Sequence, residues 1–124
     1  MKRAHKKLDV WRESVELATH IYKISEGFPK TEIYGLTSQI RRSVISISSN
    51  IAEGAARHSS KEFYHFLTIA GGSLSELDTQ LEIAYNLNFI DSEQKQDMDK
   101  KIESISAKLA GLIQNIKKKV SSER

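Results

Sequence analysis

Phe63, Leu67, Ala70, Leu74, Leu77, Leu81 and Ala84 stand four and three residues apart without a break. That spacing holds one helix face apolar for about six turns, and a face so long must be covered by other helices. The chain is therefore committed to an all-α fold. Ser59-x-x-Glu62 precedes the run with the form of a capping box. Gly71-Gly72 inside it costs about 1 kcal/mol per glycine relative to alanine. A close helix crossing at that pair is the expected reason for its presence.

Three further helices follow from the same periodicity. The first spans Leu8 to Glu26, with Asp9 as N-cap and Gly27 and Pro29 after its end. Its apolar row is Val10, Leu17, Ile21 and Ile24, continued by Phe28, and Trp11, Val15, Ala18 and Tyr22 form a neighbouring row that widens the buried face. The second starts between Thr31 and Leu36 and runs to about Glu53, on the row Leu36, Ile40, Val44, Ile47 and Ile51. A weaker row of Ile45, Ser48, Ala52 and Ala56 is small enough to admit a neighbouring backbone. The last, capped by Asp91 or Ser92, carries Met98, Ile102, Ile105, Leu109, Leu112, Ile116 and Val120 on one face. Short loops make successive helices antiparallel, so residues 1–124 are expected to form one up-down-up-down four-helix bundle. The third and fourth helices are too long for the first two, and their apolar rows continue into the overhang. Self-association covers such an overhang; packing on the N-terminal tail or a loop is the alternative.

Charge is unevenly placed. Of the net +3, the tail 1–7 carries Lys2, Arg3, Lys6 and Lys7, and the tail 117–124 carries Lys117, Lys118, Lys119 and Arg124 against Glu123. The body between them holds eleven bases against fifteen acids. Mobile basic tails of this kind either meet a polyanion or serve solubility. Cysteine is absent, which fits a reducing compartment and excludes thiol chemistry. The basic N-terminus leads into an amphipathic helix rather than a signal-peptide core, and no apolar run is long enough to span a membrane. A soluble cytoplasmic protein is expected.

The landmarks Leu8-Asp9-Val10-Trp11, Phe28-Pro29, Tyr34-Gly35-Leu36-Thr37-Ser38-Gln39-Ile40-Arg41-Arg42 and Ser49-Asn50-Ile51-Ala52-Glu53-Gly54 cover the first half of the chain. Lys61-Glu62-Phe63, Gly72-Ser73-Leu74-Ser75-Glu76-Leu77 and Thr79-Gln80-Leu81-Glu82 follow. Together they resemble the small four-helix-bundle family that includes proteins encoded in intervening sequences of bacterial 23S ribosomal RNA genes. Where that family often has a proline, this chain has Ser48, which leaves the second helix straighter. The resemblance implies a homo-oligomer, a ring of five being favoured. Related bundles include the basic pentameric accessory protein of diversity-generating retroelements, which implies RNA or DNA as a possible partner.

The candidate nucleic-acid-binding residues are Arg41, Arg42, Arg57 and Lys61, with Lys2, Arg3, Lys6, Lys7, Lys117, Lys118 and Lys119 in the tails. Arg41 and Arg42 sit about 100° apart on their helix, so one is free to pair with acids of the third helix while the other meets solvent or phosphate. Arg57, His58 and Lys61 gather at the turn into the third helix, where free backbone amides favour an anion. Tyr34, Gly35, Asn50, Glu53 and Gly54 read as structural, Asn50 and Glu53 locking the corner between the second and third helices. Glu62-x-x-His65 has di-iron ligand spacing, but that site needs a second such motif, and Leu17 and Ala55 stand where its glutamate would precede His20 and His58. No catalytic residue, cofactor, metal or small-molecule substrate is inferred. Two readings stay open: a non-enzymatic oligomeric bundle that binds RNA or DNA, and a protein–protein adaptor with no nucleic-acid ligand.

Overall fold

The computed structural model describes residues 3–123, so the tail charges of Lys2 and Arg124 lie outside the described residues. Four helices follow a single 3-10 turn at Ala4–Lys7: α1 (Asp9–Ser25), α2 (Leu36–Ala55), α3 (Ser60–Asn86) and α4 (Ser92–Ser122). A second 3-10 turn, Lys30–Glu32, lies between α1 and α2. There is no strand among the described residues, and no helix is long and apolar enough to cross a membrane. The helices run antiparallel in order around one shared core. Leu17, Ile21, Ile40, Val44, Ile47, Ile51, Leu67, Leu77, Leu81, Met98 and Ile105 are fully or almost fully buried within it.

The helix ends follow local chemistry. Asp9 is the first helical residue rather than the cap; Leu8 holds that position in extended conformation, with no side-chain capping bond. The Asp9 carboxylate instead pairs with Arg12 one turn on and sits in the first turn, where the helix dipole favours a negative charge. Ser59 completes only half of the expected box. Its hydroxyl accepts the Glu62 N–H at 3.2 Å, but it also donates to the Glu62 carboxylate at 3.0 Å, so that carboxylate is turned from the backbone. The full capping box belongs to α4. Asp91 accepts from the Gln94 N–H at 2.8 Å, and the Gln94 amide oxygen accepts from the Asp91 N–H at 2.9 Å.

Packing departs from the apolar pattern in three places. Val15 and Tyr22 of the proposed second row on α1 are exposed, while Ser14 and Ser25 are buried. Both serines donate to carbonyls of the preceding turn, Val10 and Tyr22, which removes the cost of burying a hydroxyl. On α2 the close approach is made by Gly54, not by the row Ile45, Ser48, Ala52 and Ala56, from which Ile45 and Ala56 are exposed. A Cβ on Gly54 would lie 2.9 Å from both Phe63 Cδ1 and Phe66 Cβ of α3. Gly71-Gly72 marks no crossing. A Cβ at Gly71 would meet only Leu109 at 4.0 Å, and one at Gly72 would meet nothing within 4 Å.

With 27 and 31 residues, α3 and α4 outrun the 17 of α1 and the 20 of α2. Their common end is tied by Ser60, whose hydroxyl donates to Glu123 at 2.7 Å. The Ala4–Lys7 turn packs on α1 and α2 and leaves the overhang alone. α1 meets α4 across a polar seam. There Glu13 accepts from Ser104 at 2.6 Å and from Lys108, and His20 lies 3.3 Å from Asp97. The Lys108 and Ser104 hydrogen bonds hold the Glu13 carboxyl below its ordinary range against the opposing effect of burial. A depressed folded pKa means that this contribution is complete above the unfolded carboxylate pKa and disappears as pH falls through the folded value. Replacing Glu13→Gln should therefore lower the melting temperature at pH 7 by roughly 2–5 °C. The gap to the parent protein should close as the pH is lowered into the acid range, as read by thermal melts across pH.

Candidate nucleic-acid interface

The antiparallel order brings four chain segments to one end of the bundle: the N-terminal turn, the end of α2, the start of α3 and the end of α4. Residues 3–7, 53–62 and 114–123 there hold eight bases, Arg3, Lys6, Lys7, Arg57, Lys61, Lys117, Lys118 and Lys119, against Glu53, Glu62 and Glu123. All eight are exposed. The opposite end is mixed: residues 82–99 hold Glu82, Asp91, Glu93, Asp97 and Asp99 against Lys95, while residues 23–42, from the end of α1 to the start of α2, bring Lys23, Lys30, Arg41 and Arg42 against Glu26 and Glu32. Lys95 is engaged by Glu82 at 3.4 Å and Asp99 at 2.8 Å. The end that gathers α4's last turn is thus the more positive of the two.

Within the described residues, the basic tail segments form a 3-10 turn and the last turns of α4 rather than extended arms. Arg12 donates to the Lys6 carbonyl at 2.7 Å, and the His5 ring meets Trp11 edge-on at 4.7 Å, which folds the N-terminal turn onto α1. Lys117, Lys118 and Lys119 continue α4, whose apolar row reaches buried Ile116. Arg57 is pinned as well. It bonds Glu53 four residues back at 2.5 Å and lies 4.8 Å over the Phe66 ring. Lys61 and His58 beside it are exposed.

The two adjacent arginines divide sharply. Arg41 faces α1, not the acids of α3. Its Nε donates to Ser25 Oγ at 2.9 Å, its Nη2 donates to the Tyr22 carbonyl at 3.3 Å, and its guanidinium stands 4.7 Å over the Tyr22 ring. It therefore satisfies a carbonyl in the last turn of α1, where a positive charge also favours the helix dipole. Arg42, one residue on, is exposed and makes no ion pair among the described residues.

Of the residues read as structural, Glu53 serves the α2–α3 corner through Arg57. Asn50 acts farther along α2: its amide donates to the Ser46 carbonyl at 2.8 Å and to Ser46 Oγ at 2.9 Å, and Ser46 Oγ shares a 2.7 Å hydrogen bond with Ser73 of α3. Gly35 precedes α2, whose first amide, Leu36 N–H, donates to Glu32 Oε1 at 3.0 Å. A Cβ on Gly35 would sit 2.8 Å from that oxygen. Tyr34 is 95% exposed. It borders a groove of about 610 Å³ along the outward side of α2, lined also by Tyr22, Ile33, Ser38, Arg41, Arg42, Ile45 and Ser49. The sequence named Arg41 and Arg42 as an adjacent basic pair and Tyr34 as a landmark of the resemblance, but did not join them with Tyr22, Ile33 and Ile45; apolar residues left off the core row of α2 were the available signal. No group of three or more His, Asp or Glu side chains is placed to hold a metal ion among the described residues.

A family model described as 23S rRNA-intervening sequence protein matches residues 6–111. The chain belongs to that family. One solved structure, of a protein of unknown function from the S23 ribosomal protein family of Bacteroides thetaiotaomicron VPI-5482, superposes with a TM-score of 0.79 at 26% identity. The match covers 85% of this chain and 95% of that one. Comparison with curated proteins gives no match. The family match takes in Arg41, Arg42, Arg57 and Lys61, whereas Arg3 and the lysines of the α4 end lie outside the matched span.

The different settings of the two arginines separate their effects. Arg41→Ala removes the bonds to the Ser25 hydroxyl and the Tyr22 carbonyl, which keep each other as partners, together with the contact over the Tyr22 ring, and should cost about 1 kcal/mol. Arg42→Ala should stay within about 0.5 kcal/mol of the parent protein. Chemical denaturation of the two single variants measures both.

Proposed function

We propose that the protein is a non-catalytic cytoplasmic helical bundle that assembles with copies of itself, five being the favoured number, and binds RNA or DNA. The observation that carries this reading is the convergence of eight exposed bases, against three acids, on one end of the bundle. Such an end attracts phosphates from a distance and orients the bundle as it approaches. Lysines on a helix, rather than on a loose tail, spare the cost of ordering the backbone on binding. Repetition of the same end in a ring would multiply a modest single-copy affinity.

The outward stripe of α3 supports self-assembly. Ile69 and Ile83 are 39% and 44% exposed there, two heptads apart, and Gly72 between them leaves open space beside the helix. A glycine such as Gly72, which weakens its helix where a Cβ would meet nothing in the same chain, is accounted for if a neighbouring copy approaches at that point. Light scattering on this reading gives a particle of about 70 kDa for five chains of 14.0 kDa. Ile83→Asp should shift that mass toward one chain without loss of helical circular dichroism. A parent protein that is already monomeric would refute the assembly.

Nucleic-acid binding makes a separate prediction. The logarithm of affinity should fall with the logarithm of salt by about 0.9 per phosphate neutralised on duplex DNA and about 0.7 on a single strand. Replacing Lys117, Lys118 and Lys119 together by Gln should flatten the single-strand slope by roughly 2. A flat parent slope, or no binding at low salt, would contradict the reading. The protein-adaptor reading draws on Leu87 and Tyr85, exposed by 53% and 37% at the opposite end. Partners that stay bound after nuclease treatment of a pull-down would favour it.

A further inference from the structure

The groove on the outward side of α2 stands apart from four other concavities of the bundle by its charge. The cleft at His20 contains Asp91, Glu93 and Asp97, and the groove between α3 and α4 contains Asp78. The hollow at Arg57 contains Glu53 and Glu62, and the one at Lys95 contains Asp78, Glu82 and Asp99. The α2 groove has Arg41 and Arg42 and no carboxylate in its lining. Its charge is therefore uncompensated from within, in a body that is acidic overall.

Its remaining surface is equally selective. Tyr34 presents a ring that is 95% exposed, and Ile33 and Ile45 are 50% and 43% exposed. Arg41 is already held by Ser25 and Tyr22, so its charge is fixed in place before any ligand arrives, while Arg42 is without an ion-pair partner among the described residues. An anion with flat apolar faces fits this combination. Nucleotides supply both in alternation, with phosphates for the arginines and bases for the tyrosine ring and isoleucines.

We propose that this groove binds single-stranded RNA or DNA, with a base stacked on Tyr34 and backbone phosphates at Arg42 and Arg41. The proposal rests on the nucleic-acid reading above and deepens it by naming the form of the ligand and a second contact site away from the basic end. A duplex keeps its bases in its own stack and offers Tyr34 nothing to stack on. Nor can a helix face that lies in a hollow, flanked by Tyr22 and Tyr34, enter a major groove. The lining runs along α2 from Thr37 to Asn50, about 20 Å of helix. A stacked strand advancing about 3.4 Å per nucleotide would lay roughly six nucleotides along it.

The test uses the full chain, a fluorescein-labelled RNA of about 12 nucleotides, the matching DNA single strand and the matching duplex, read by anisotropy at low salt. Tyr34→Ala should weaken single-strand binding by roughly 5- to 150-fold, the range found for loss of one stacked base, and leave duplex binding within twofold. Tyr34→Phe should retain it. Arg42→Gln should reduce the single-strand salt slope by about 0.7. Because Tyr34 and Arg42 are exposed, thermal melts and particle mass should stay at parent values. Single-strand binding that survives Tyr34→Ala but is lost when Lys117, Lys118 and Lys119 become Gln would overturn the groove assignment and leave the broader reading standing. Loss of binding together with a fall in particle mass in Tyr34→Ala would overturn it too, assigning the groove to contact between copies. A parent protein that binds none of the three probes would overturn the groove and the nucleic-acid reading together.

Discussion

The close approach of α2 and α3 is the constraint from which the rest of the molecule follows. Gly54 brings the end of α2 against Phe63 and Phe66, and Ser46 meets Ser73 through a direct hydrogen bond farther along. Two contacts at different heights fix both the separation and the register of an antiparallel pair. Once that pair is set, α1 must lie on the other side of α2, and α4 on the other side of α3. α2 is left with a free outward side between Arg42 and Ser49. The same register carries Arg57 and Lys61 to the end where α4 finishes in Lys117, Lys118 and Lys119. The basic end is a consequence of topology, since no single segment of the chain contains it.

The energetics are distributed unevenly across the four seams. Between α2 and α3 the interior is apolar and tight, so its stability comes from buried surface and dispersion and is indifferent to pH. Between α1 and α4 the outer part of the seam is held by Glu13 with Ser104 and Lys108, and by His20 with Asp97. Exposed pairs of this kind contribute little each and are weakened by salt. α1 is therefore the helix held least by packing against both neighbours. Arg41 reinforces it from α2 by bonding its last turn. That role explains why one of two adjacent arginines is withdrawn from solvent while the other is left free.

Much of the fold was legible because burial imposes a period that local residues must obey. The rows on α3 and α4 are buried almost as their spacing demands, and the boundary signals at Gly27, Pro29, Ser59 and Asp91 fall where helices start or stop. The failures share a cause. Ser14 and Ser25 are counted as polar in a pattern, yet each satisfies its hydroxyl on its own helix and packs as a small core residue. Gly71-Gly72 has the composition of a crossing, but which glycine meets a neighbour depends on azimuth, and the chain places Gly54 there instead. The ordering of the Ala4–Lys7 turn depends on Trp11 and Arg12 as partners, which a charge count cannot reveal. The groove was less legible still. Tyr22, Ile33 and Ile45 belong to three different segments, and only the bundle puts them beside Arg41 and Arg42.

The relation between the basic end and the groove follows from what each kind of charge can do. Lysines on an exposed helix end act at a distance, are hydrated, and hold a phosphate as a diffuse point charge. They raise encounter rates and make any association salt-dependent, but they cannot distinguish one polyanion from another. Arg41 is different in kind: its guanidinium is planar, held at two of its nitrogens and seated over a ring. A fixed charge beside an exposed aromatic side chain discriminates by shape, because the two must be met at once by a ligand with phosphate and flat apolar surface at matching spacing. α2 carries both, with Tyr34 just ahead of its first residue and Arg57 just past its last. Between the groove, which ends at Asn50, and Arg57 stands the exposed carboxylate of Glu53, which Arg57 itself engages. The net charge of the whole chain, +3, conceals this arrangement because the acids that offset the bases are spread along the body of the bundle.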